Sequence, residues 1–427
     1  MKEAGFLWWL LANNTNLRWL ILSNCSLFGA FHNQLFGIVP EQLPNCSKLE
    51  ILDASNNHLS GKLPISFQNF PRLQLLDLSN NNFSGSLPSG FITPRMTEVY
   101  LSRNHLGGTF TEDDYSSYHI SVLDLSHNHL RGTIPIWISK LPRLSYLLLN
   151  NNKLYGEVLV PFCLEQFKLI AISHNHISGH ISSAINANRS CGVRSDDGFL
   201  LEGLEFVTKT QLHTYGGTLL TLMVGLDFSD NNFTGEIPPK LGDHMSDIRA
   251  LNLSYNKLTG PIPPSLSRMF QIESLDLSRN NLSGVIPTQL TELTSLASFS
   301  VAYNNLSGMC PQRVAQFATF DETSYHGNPF LCCTFPSQLS KPIFSLPTSR
   351  DRDDDDDGGG GFIDMESFYA SSGVAFIMVL LTIASVLCIN PYWRQTWFYY
   401  VGVAATNFYY FLVDHLPVPV KYKVLKL

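Results

Sequence analysis

The sequence predicts an α/β solenoid, in which short repeats stack into one long parallel β-sheet, followed by a single transmembrane α-helix. Two observations support this prediction. A pattern of about 24 residues recurs along most of the 427-residue chain, and residues 368–389 form an apolar stretch without a charge. The net charge is −7 and only 15% of the residues are charged. No basic field for a nucleic acid partner is therefore visible.

The repeat follows the frame L-x-x-L-x-L-x-x-N-x-L-x-G-x-I-P, as in LDLSRNNLSGVIP at residues 275–287. Leu275, Leu277 and Leu282 are predicted to point inward, and because no copy can bury this face alone, the repeats must stack. This frame is that of a leucine-rich repeat, and its L-S-G-x-I-P segment resembles the plant-type variant. Its asparagine is predicted to satisfy buried backbone groups with the side-chain amide. The asparagines at this position of the frame, here called the ladder asparagines, are Asn57, Asn81, Asn104, Asn128, Asn152, Asn175, Asn231, Asn256, Asn280 and Asn304.

The L-x-L segment of each repeat is predicted to form the strand, since its side chains alternate inward and outward with a period of two. Neighbouring strands should pair in parallel about 4.8 Å apart and form a curved sheet on the concave side of the solenoid. Gly284 is predicted to allow a tight backbone conformation, and Pro287 to prevent further strand pairing.

An insertion interrupts the repeats, because 56 residues separate Asn175 from Asn231, one repeat plus about 32 more. Insertions of this length are uncommon unless they are functional or disordered, and the aromatic residues here argue against disorder. We predict that this island contacts a ligand or partner. The predicted segments are repeats 1–181 with a truncated N-terminal end, island 182–222, repeats 223–311, C-terminal cap and linker 312–350, acidic and glycine-rich spacer 351–367, transmembrane helix 368–389 and cytoplasmic tail 390–427.

The apolar stretch 368–389 is long enough to cross the roughly 30 Å of bilayer hydrocarbon as a helix. Acidic residues precede it, and lysine and arginine outnumber acids after it. The positive-inside bias then places the repeats outside and the tail in the cytosol. We predict a single-pass plasma-membrane protein with the lipid bilayer as a partner. The aspartate run before the span is interpreted as a solvated spacer, so no metal or cofactor is predicted.

The candidate contact surface lies on the strands. Aspartate is the usual residue at their exposed position, but three of the repeats before the island carry Tyr100, Leu148 and Ala171 there. Two residues earlier the same three repeats carry Glu98, Tyr146 and Leu169. Such a patch on a polar sheet indicates a contact site, with local repacking or glycan shielding as the alternatives. The predicted ligand-binding residues, including two on the island, are Glu98, Tyr100, Tyr146, Leu148, Leu169, Phe206 and Tyr215.

Nine N-x-S/T sequons precede the predicted span, as an exported domain requires. Several follow a ladder asparagine directly, so the repeat frame itself produces them. The predicted glycosylation sites are Asn13, Asn24, Asn45, Asn82, Asn188, Asn232, Asn252, Asn281 and Asn305.

Cysteines are sparse, but three cluster at the C-terminal cap and two bracket the start of the island. In an oxidising compartment we predict disulfides that involve Cys163, Cys191, Cys310 and Cys332. Three histidines, His105, His129 and His176, follow ladder asparagines. Exposed polar filler is the favoured interpretation of these histidines, and a pH-sensitive patch is the alternative.

Several segments together resemble the plant receptor-like proteins. MVGLDFSDNNFTGEIPPKLG at 223–242 follows an island ending in VTKTQLHTYGG, and RVAQFATFDETSYHGNPFLC, an acidic spacer, one membrane helix and WRQTWFYY come after it. The resemblance implies an extracellular repeat domain, one span and a short tail without a kinase. It implies a receptor for an extracellular peptide or microbial ligand, in defence or development, that signals through a membrane receptor kinase as co-receptor.

No catalytic set of residues stands out, so the chain is not predicted to be an enzyme. The 38 residues after the span are too few for a kinase domain. The alternative to a receptor is a truncated, signalling-incompetent paralogue or decoy, since the first copy begins in mid-repeat.

Overall fold

The computed structural model describes residues 17–22, 35–41, 43–111, 119–159, 162, 166–185, 204–209, 211–215, 220 and 222–334. All of them lie in the first of two compact units, Met1–Lys341. Within this part of the chain, none of the helices has the length and apolar character needed to cross a bilayer. The predictions that fall outside the described residues are the span 368–389, the tail, sequons Asn13, Asn24 and Asn188, and Cys163 and Cys191.

The L-x-L segments form one parallel sheet, here called the main sheet, which confirms the predicted solenoid of parallel strands. One side of this sheet packs into the core, where Leu275, Leu277 and Leu282 are fully or almost fully buried. The strands follow chain order without a crossover. Its described strands are Trp19–Ile21, Ile51–Asp53, Leu75–Asp77, Glu98–Tyr100, Val122–Asp124, Tyr146–Leu148, Leu169–Ala171, Gly225–Asp227, Ala250–Asn252, Ser274–Asp276 and Ser298–Ser300.

The ladder asparagines join consecutive repeats, as their predicted role requires. Nδ2 of Asn128 donates to the carbonyl oxygens of Leu101, Leu125 and Ser126 at 2.9–3.2 Å, and Oδ1 accepts from the Leu106 amide at 3.0 Å. Leu101 and Leu106 belong to the preceding repeat, so each amide closes a gap in backbone pairing between two copies.

The same pattern extends one step into the C-terminal cap. Asn328 lies 24 residues after Asn304 in the sequence, and it bonds to Leu306 and Val301 as a ladder asparagine does. The sequence analysis placed this segment outside the repeat frame. The hydrogen bonds show that the cap closes the last repeat by supplying one more ladder asparagine.

A second layer of parallel strands follows each ladder asparagine, and the sequence analysis did not predict it. An isolated bridge between Thr109 and Arg131 links its two parts. The first part contains Phe36–Gly37, His58–Gly61, Asn82–Ser86 and His105–Gly107. The second contains Arg131–Gly132, Lys153–Glu157, His176–His180, Asn232–Glu236, Lys257–Gly260, Asn281–Gly284, Asn305–Met309 and Phe330–Cys332.

The frame glycine in this layer has a left-handed backbone, as Gly260 does at φ +76°. A side chain of the preceding repeat also lies over it. An added Cβ on Gly260 would stand 2.6 Å from Cγ of Glu236. Glycine is therefore required here by its left-handed conformation, and the Glu236 side chain would also have to move to admit a Cβ.

The helical content is smaller than the α/β class predicts. Repeats of about 24 residues that already hold two strands leave room only for single turns, most of them 3₁₀. The described helices are α-helical turns Ile181–Ala184 and Leu241–His244, and 3₁₀ turns Leu43–Asn45, Ile65–Asn69, Ile138–Lys140, Pro264–Arg268, Thr288–Glu292, Ala315–Ala318 and Glu322–Ser324.

Candidate functional site

The predicted contact residues of the strands come together on the face of the main sheet opposite the core. Parallel register aligns Glu98, Val122, Tyr146 and Leu169 in one row and places Tyr100, Leu148 and Ala171 in a second. The apolar members of both rows form one cluster, separate from the solenoid core. This cluster, here called the apolar patch, consists of Leu75, Tyr100, Val122, Tyr146, Leu148, Leu169, Ala171 and Ala250.

The island covers this patch with a β-hairpin. Its antiparallel strands are Leu204–Thr208 and Gln211–Tyr215. Leu204 and Phe206 point into the patch and are 0% and 1% exposed, whereas the alternating side chains of Glu205 and Val207 are half-buried. The prediction that this patch is solvent-exposed is wrong, because the hairpin leaves Tyr100 at 2% and Leu148 at 0% exposure.

Phe206 fits into a gap that a glycine leaves in the first row. Gly225 occupies the row position that Leu169 has in the neighbouring strand. A Cβ added to Gly225 would lie 2.6 Å from Cε1 of Phe206, closer than any real contact. The phenyl ring therefore takes the place of the missing side chain, and Gly225 and Phe206 together determine where the hairpin sits.

Ion pairs at both ends of the hairpin hold it across several repeats. At one end Glu205 pairs with Arg103, and His127 Nε2 lies 4.0 Å from the same carboxylate. Burial, together with the charge of Arg103, lowers the pKa of His127, so Arg103 carries the charge of this contact at neutral pH. These groups are partly exposed, so the pair contributes at most about 1 kcal/mol and mainly orients the hairpin.

At the turn of the hairpin, Lys209 Nζ lies 3.0 Å from Glu273, and the Lys209 amide donates to Ser274 Oγ at 3.0 Å. Arg249 Nη1 pairs with the other oxygen of Glu273 at 2.6 Å. Burial acts to raise the pKa of Glu273, but the two cations outweigh it and lower that pKa. Glu273 is thus ionised and shared by two cations, one from the hairpin and one from the main sheet.

A pocket of about 170 Å³ opens beside this triad. Leu222 and Met223 supply apolar wall, and the hydroxyls of Thr208 and Tyr215 meet at 2.6 Å along the hairpin. The pocket joins the predicted contact residue Tyr215 to charged groups that the sequence analysis missed. It is lined by Thr208, Lys209, Tyr215, Leu222, Met223, Arg249 and Glu273.

Glu98 and Tyr100 form a polar pair within the covered surface. The Tyr100 hydroxyl donates to Glu98 Oε2 at 2.9 Å, and both side chains are buried. Burial, and after it the charge of Glu98, raises the pKa of Tyr100 far above its ordinary value, so the phenol keeps its proton and remains the donor.

The aspartates of the main sheet have a structural role. Asp124 Oδ1 accepts from the Ser126 amide at 3.0 Å and from its hydroxyl at 2.7 Å, which caps the turn after the strand. Asn252 bonds to Ser254 in the same way. Burial raises the pKa of Asp124 despite these bonds.

A row of left-handed residues immediately before the ladder asparagines forms a rim beside the main sheet. Arg103 and His127 of this rim contact the hairpin. Farther along it, the Arg279 guanidinium stacks between the rings of Tyr255 and Tyr303, 4.9 and 4.2 Å from their centroids. Both tyrosines are about half exposed. The sequence signal for this stack was the alternation Tyr, Arg, Tyr at one fixed repeat position.

The described sequons differ in accessibility. Asn252 lies on the main sheet with its amide oxygen engaged by Ser254, and it is half-buried, as Asn232 is. The exposed sequon asparagines are Asn45, Asn82, Asn281 and Asn305. Glycosylation itself stays a prediction at all of these positions.

The cap disulfide joins Cys310 to Cys333, with Cα atoms 5.0 Å apart. The prediction that Cys332 takes part is therefore wrong. Cys332 ends the strand Phe330–Cys332, and its carbonyl accepts from the Cys310 amide at 3.0 Å. Successive side chains of an extended segment point in opposite directions, so Cys332 is directed to solvent and Cys333 toward Cys310. Among the residues that the structure describes, no group of three His, Cys, Asp or Glu side chains could hold a metal ion.

The class of protein follows from the fold together with a family match. The Leucine rich repeat family model matches residues 32–83, 94–154 and 225–282. Among solved structures, the chain resembles the plant peptide hormone receptor RGFR1 in complex with RGF2, with a TM-score of 0.56, 25% identity and coverage of 76% of this chain and 53% of that one. It also resembles a TDR receptor, with a TM-score of 0.52, 26% identity and coverage of 71% and 45%. It is a leucine-rich repeat protein.

Similar proteins of known family indicate which group of leucine-rich repeat proteins the chain resembles. The chain is 49% identical over 218 residues to Cuscuta receptor 1 of Solanum lycopersicum and 47% identical over 201 residues to Receptor-like protein 13 of Arabidopsis thaliana. The repeats and these relatives together support membership of the plant receptor-like protein family. The alignments cover 51% and 46% of this chain but 19% and 18% of those relatives, so the chain spans about a fifth of their length.

Proposed function

We propose that this chain is a plant cell-surface receptor-like protein that binds an extracellular peptide or microbial ligand and signals through a partner receptor kinase. The observation that carries the proposal is the island hairpin docked on the apolar patch. It creates a pocket between two segments far apart in sequence, the kind of site in which ligands bind. The names of its relatives and the peptide hormone receptor fold support the same class of activity.

The ligand site in this proposal is the pocket at the turn of the hairpin. Lys209 and Arg249 together outnumber the single carboxylate of Glu273, and Leu222 and Met223 line the wall. This combination favours an apolar group next to an anionic one, as the last residue of a peptide provides. The predicted ligand contacts Glu98, Tyr100, Tyr146, Leu148 and Leu169 would then act by supporting the hairpin, and Tyr215 by direct contact.

The partner surface in this proposal is the stack of Tyr255, Arg279 and Tyr303. Tyrosine and arginine are the residues that most often dominate binding energy at protein interfaces. Replacing both tyrosines with alanine should reduce the amount of a co-expressed receptor kinase that purifies with the chain. Tyr155→Ala is the matched control, because Tyr155 is 54% exposed on the second layer, away from the rim. Equal loss in the control would contradict this placement.

Surface location is tested first. The full chain with a C-terminal tag is expressed in plant cells, and its membrane fraction is digested with an N-glycosidase. A large mobility shift is expected, because exposed sequons such as Asn82, Asn281 and Asn305 would carry glycans in the secretory pathway. No shift, or no membrane-bound protein, would favour the truncated paralogue over a receptor.

A further inference from the structure

At one exposed position of the second layer, four consecutive repeats have a basic residue where the repeats on either side have asparagine. It is the residue directly after the ladder asparagine. Where it is asparagine, the serine or threonine two residues later completes a sequon, as at Asn82 and Asn232. In the four repeats between them, basic residues stand in its place and no sequon exists. In successive repeats the residues at this position are Asn82, His105, His129, Lys153, His176 and Asn232.

These basic residues are neighbours in space. The rings of His105 and His129 have their centroids 5.7 Å apart. Arg131, two residues after His129, is the cross-strand partner of Lys153. Tyr155, two residues after Lys153, is the partner of His176. All of these side chains are exposed, and they form a surface here called the basic strip: His105, His129, Arg131, Lys153, Tyr155 and His176.

The charge of the strip is opposite to that of the chain as a whole. The chain has 35 acidic residues and 28 lysines and arginines. Among the described residues, Arg131 and Lys153 form no ion pair, and the acidic side chain on the same strand face is Glu157. Among the described residues the strip therefore has an excess of positive charge, which fits an anionic partner by charge complementarity.

We propose that the basic strip binds an acidic polysaccharide. Its basic residues recur once per repeat, at the strand spacing of about 4.8 Å, which suits a linear polymer with regularly spaced carboxylates. Tyr155, 54% exposed among the cations, offers a ring face on which a sugar can stack. A membrane surface is disfavoured, because Tyr155 is the single large apolar side chain of the strip and interfacial binders bury a broad apolar face.

The same replacement leaves these four repeats without a sequon at this position. Glycans at Asn82 and Asn232 would therefore flank the strip. This site lies on the second layer, away from the hairpin pocket, and does not depend on the proposed receptor function.

The experiment measures binding of the purified full chain in detergent to immobilised polygalacturonate at neutral pH. Neutral dextran, anionic phosphatidylserine vesicles and single-stranded DNA serve as competitors. The variant Arg131→Gln/Lys153→Gln removes the two permanent charges of the strip, and Tyr155→Ala removes the ring. The matched control is Lys257→Gln, an exposed lysine at the same repeat position beyond Asn232.

We expect the chain to bind polygalacturonate and not dextran, and to bind more weakly as salt is added. The double variant should weaken binding by about three- to ten-fold, the effect of two exposed ion pairs. Lys257→Gln should leave it unchanged. The proposal is overturned if the chain does not bind polygalacturonate, if Lys257→Gln weakens binding as much as the double variant, or if vesicles or DNA compete with equal affinity.

Discussion

Replacing Gly225 with alanine should lift the island hairpin off the main sheet and leave the solenoid folded. The new Cβ would stand 2.6 and 2.7 Å from Cε1 and Cζ of Phe206 and 3.3 Å from Cδ2 of Leu169. The backbone at Gly225 is ordinary strand backbone, so alanine itself is tolerated in the main sheet. The contact with Phe206 is the severe one, and the phenyl ring must leave its place.

The size of the effect follows from the burial of that ring. Phe206 is 1% exposed, and burying a phenylalanine side chain contributes about 1.5–3 kcal/mol. Losing this contribution should increase the open population of the hairpin by roughly 10- to 150-fold. Hydrogen exchange measures this directly, because the amides of Leu204–Thr208 and Gln211–Tyr215 should lose protection while those of Val122–Asp124 keep theirs.

Gly107→Ala is the matched control. Gly107 lies on the second layer, where an added Cβ would meet only the His129 carbonyl and Cβ, at the ordinary distances of 3.5 and 4.0 Å. Adding Phe206→Leu to Gly225→Ala should restore part of the protection, because a smaller side chain relieves the clash. Unchanged exchange in the hairpin of Gly225→Ala, or equal loss of protection throughout the main sheet, would refute this account.

Three further changes test the solenoid itself. Asn128→Ala should lower the free energy of unfolding by about 2–5 kcal/mol in urea, because buried backbone groups of two repeats lose their partner; a change below 1 kcal/mol would contradict this. Cys333→Ser should cost about 3 kcal/mol, since the disulfide closes a 23-residue separation, whereas Cys332→Ser should cost nothing. Burial raises the pKa of Asp124, so its carboxyl contributes stability at low pH that is lost as pH rises through that pKa. Asn252 occupies the equivalent position in another repeat and accepts the same hydrogen bonds, so Asp124→Asn should be tolerated. It should remove this contribution and stabilise the chain at neutral pH relative to acid. An unfolding free energy with the same pH dependence in both proteins would count against this account.

The solenoid was predictable because every repeat has the same local pattern of residues. The inward leucines and the ladder asparagines make contacts with the adjacent copy, so a single spacing of about 24 residues encodes every neighbour. The second layer was missed for a related reason. Its strands are only two to five residues long, and a segment such as His58–Gly61 ends at a glycine that indicates a turn when considered alone.

The covering hairpin could not be predicted from the repeat frame, because its contacts link distant parts of the chain. Glu205 reaches back 102 residues to Arg103, and Lys209 reaches forward to Glu273. A local signal for the strand did exist, since Leu204, Phe206 and Thr208 alternate with half-buried residues. Nothing in that alternation specifies which face of the solenoid the strand covers. The apolar patch was predicted from the sequence, but the hairpin that covers it was not.

The departures from the repeat frame coincide in position along the chain. Between Glu98 and His176 three of the four main-sheet strands carry tyrosine, leucine or alanine in place of the usual aspartate, and the fourth keeps Asp124. Over the same repeats the second layer has basic residues in place of sequon asparagines. Stacking requires neither change, since the leucines, ladder asparagines and glycines of these repeats follow the frame. Side chains that stacking leaves free are available for recognition, so we expect these repeats, with contact surfaces on two faces, to carry most of the specificity of the described domain.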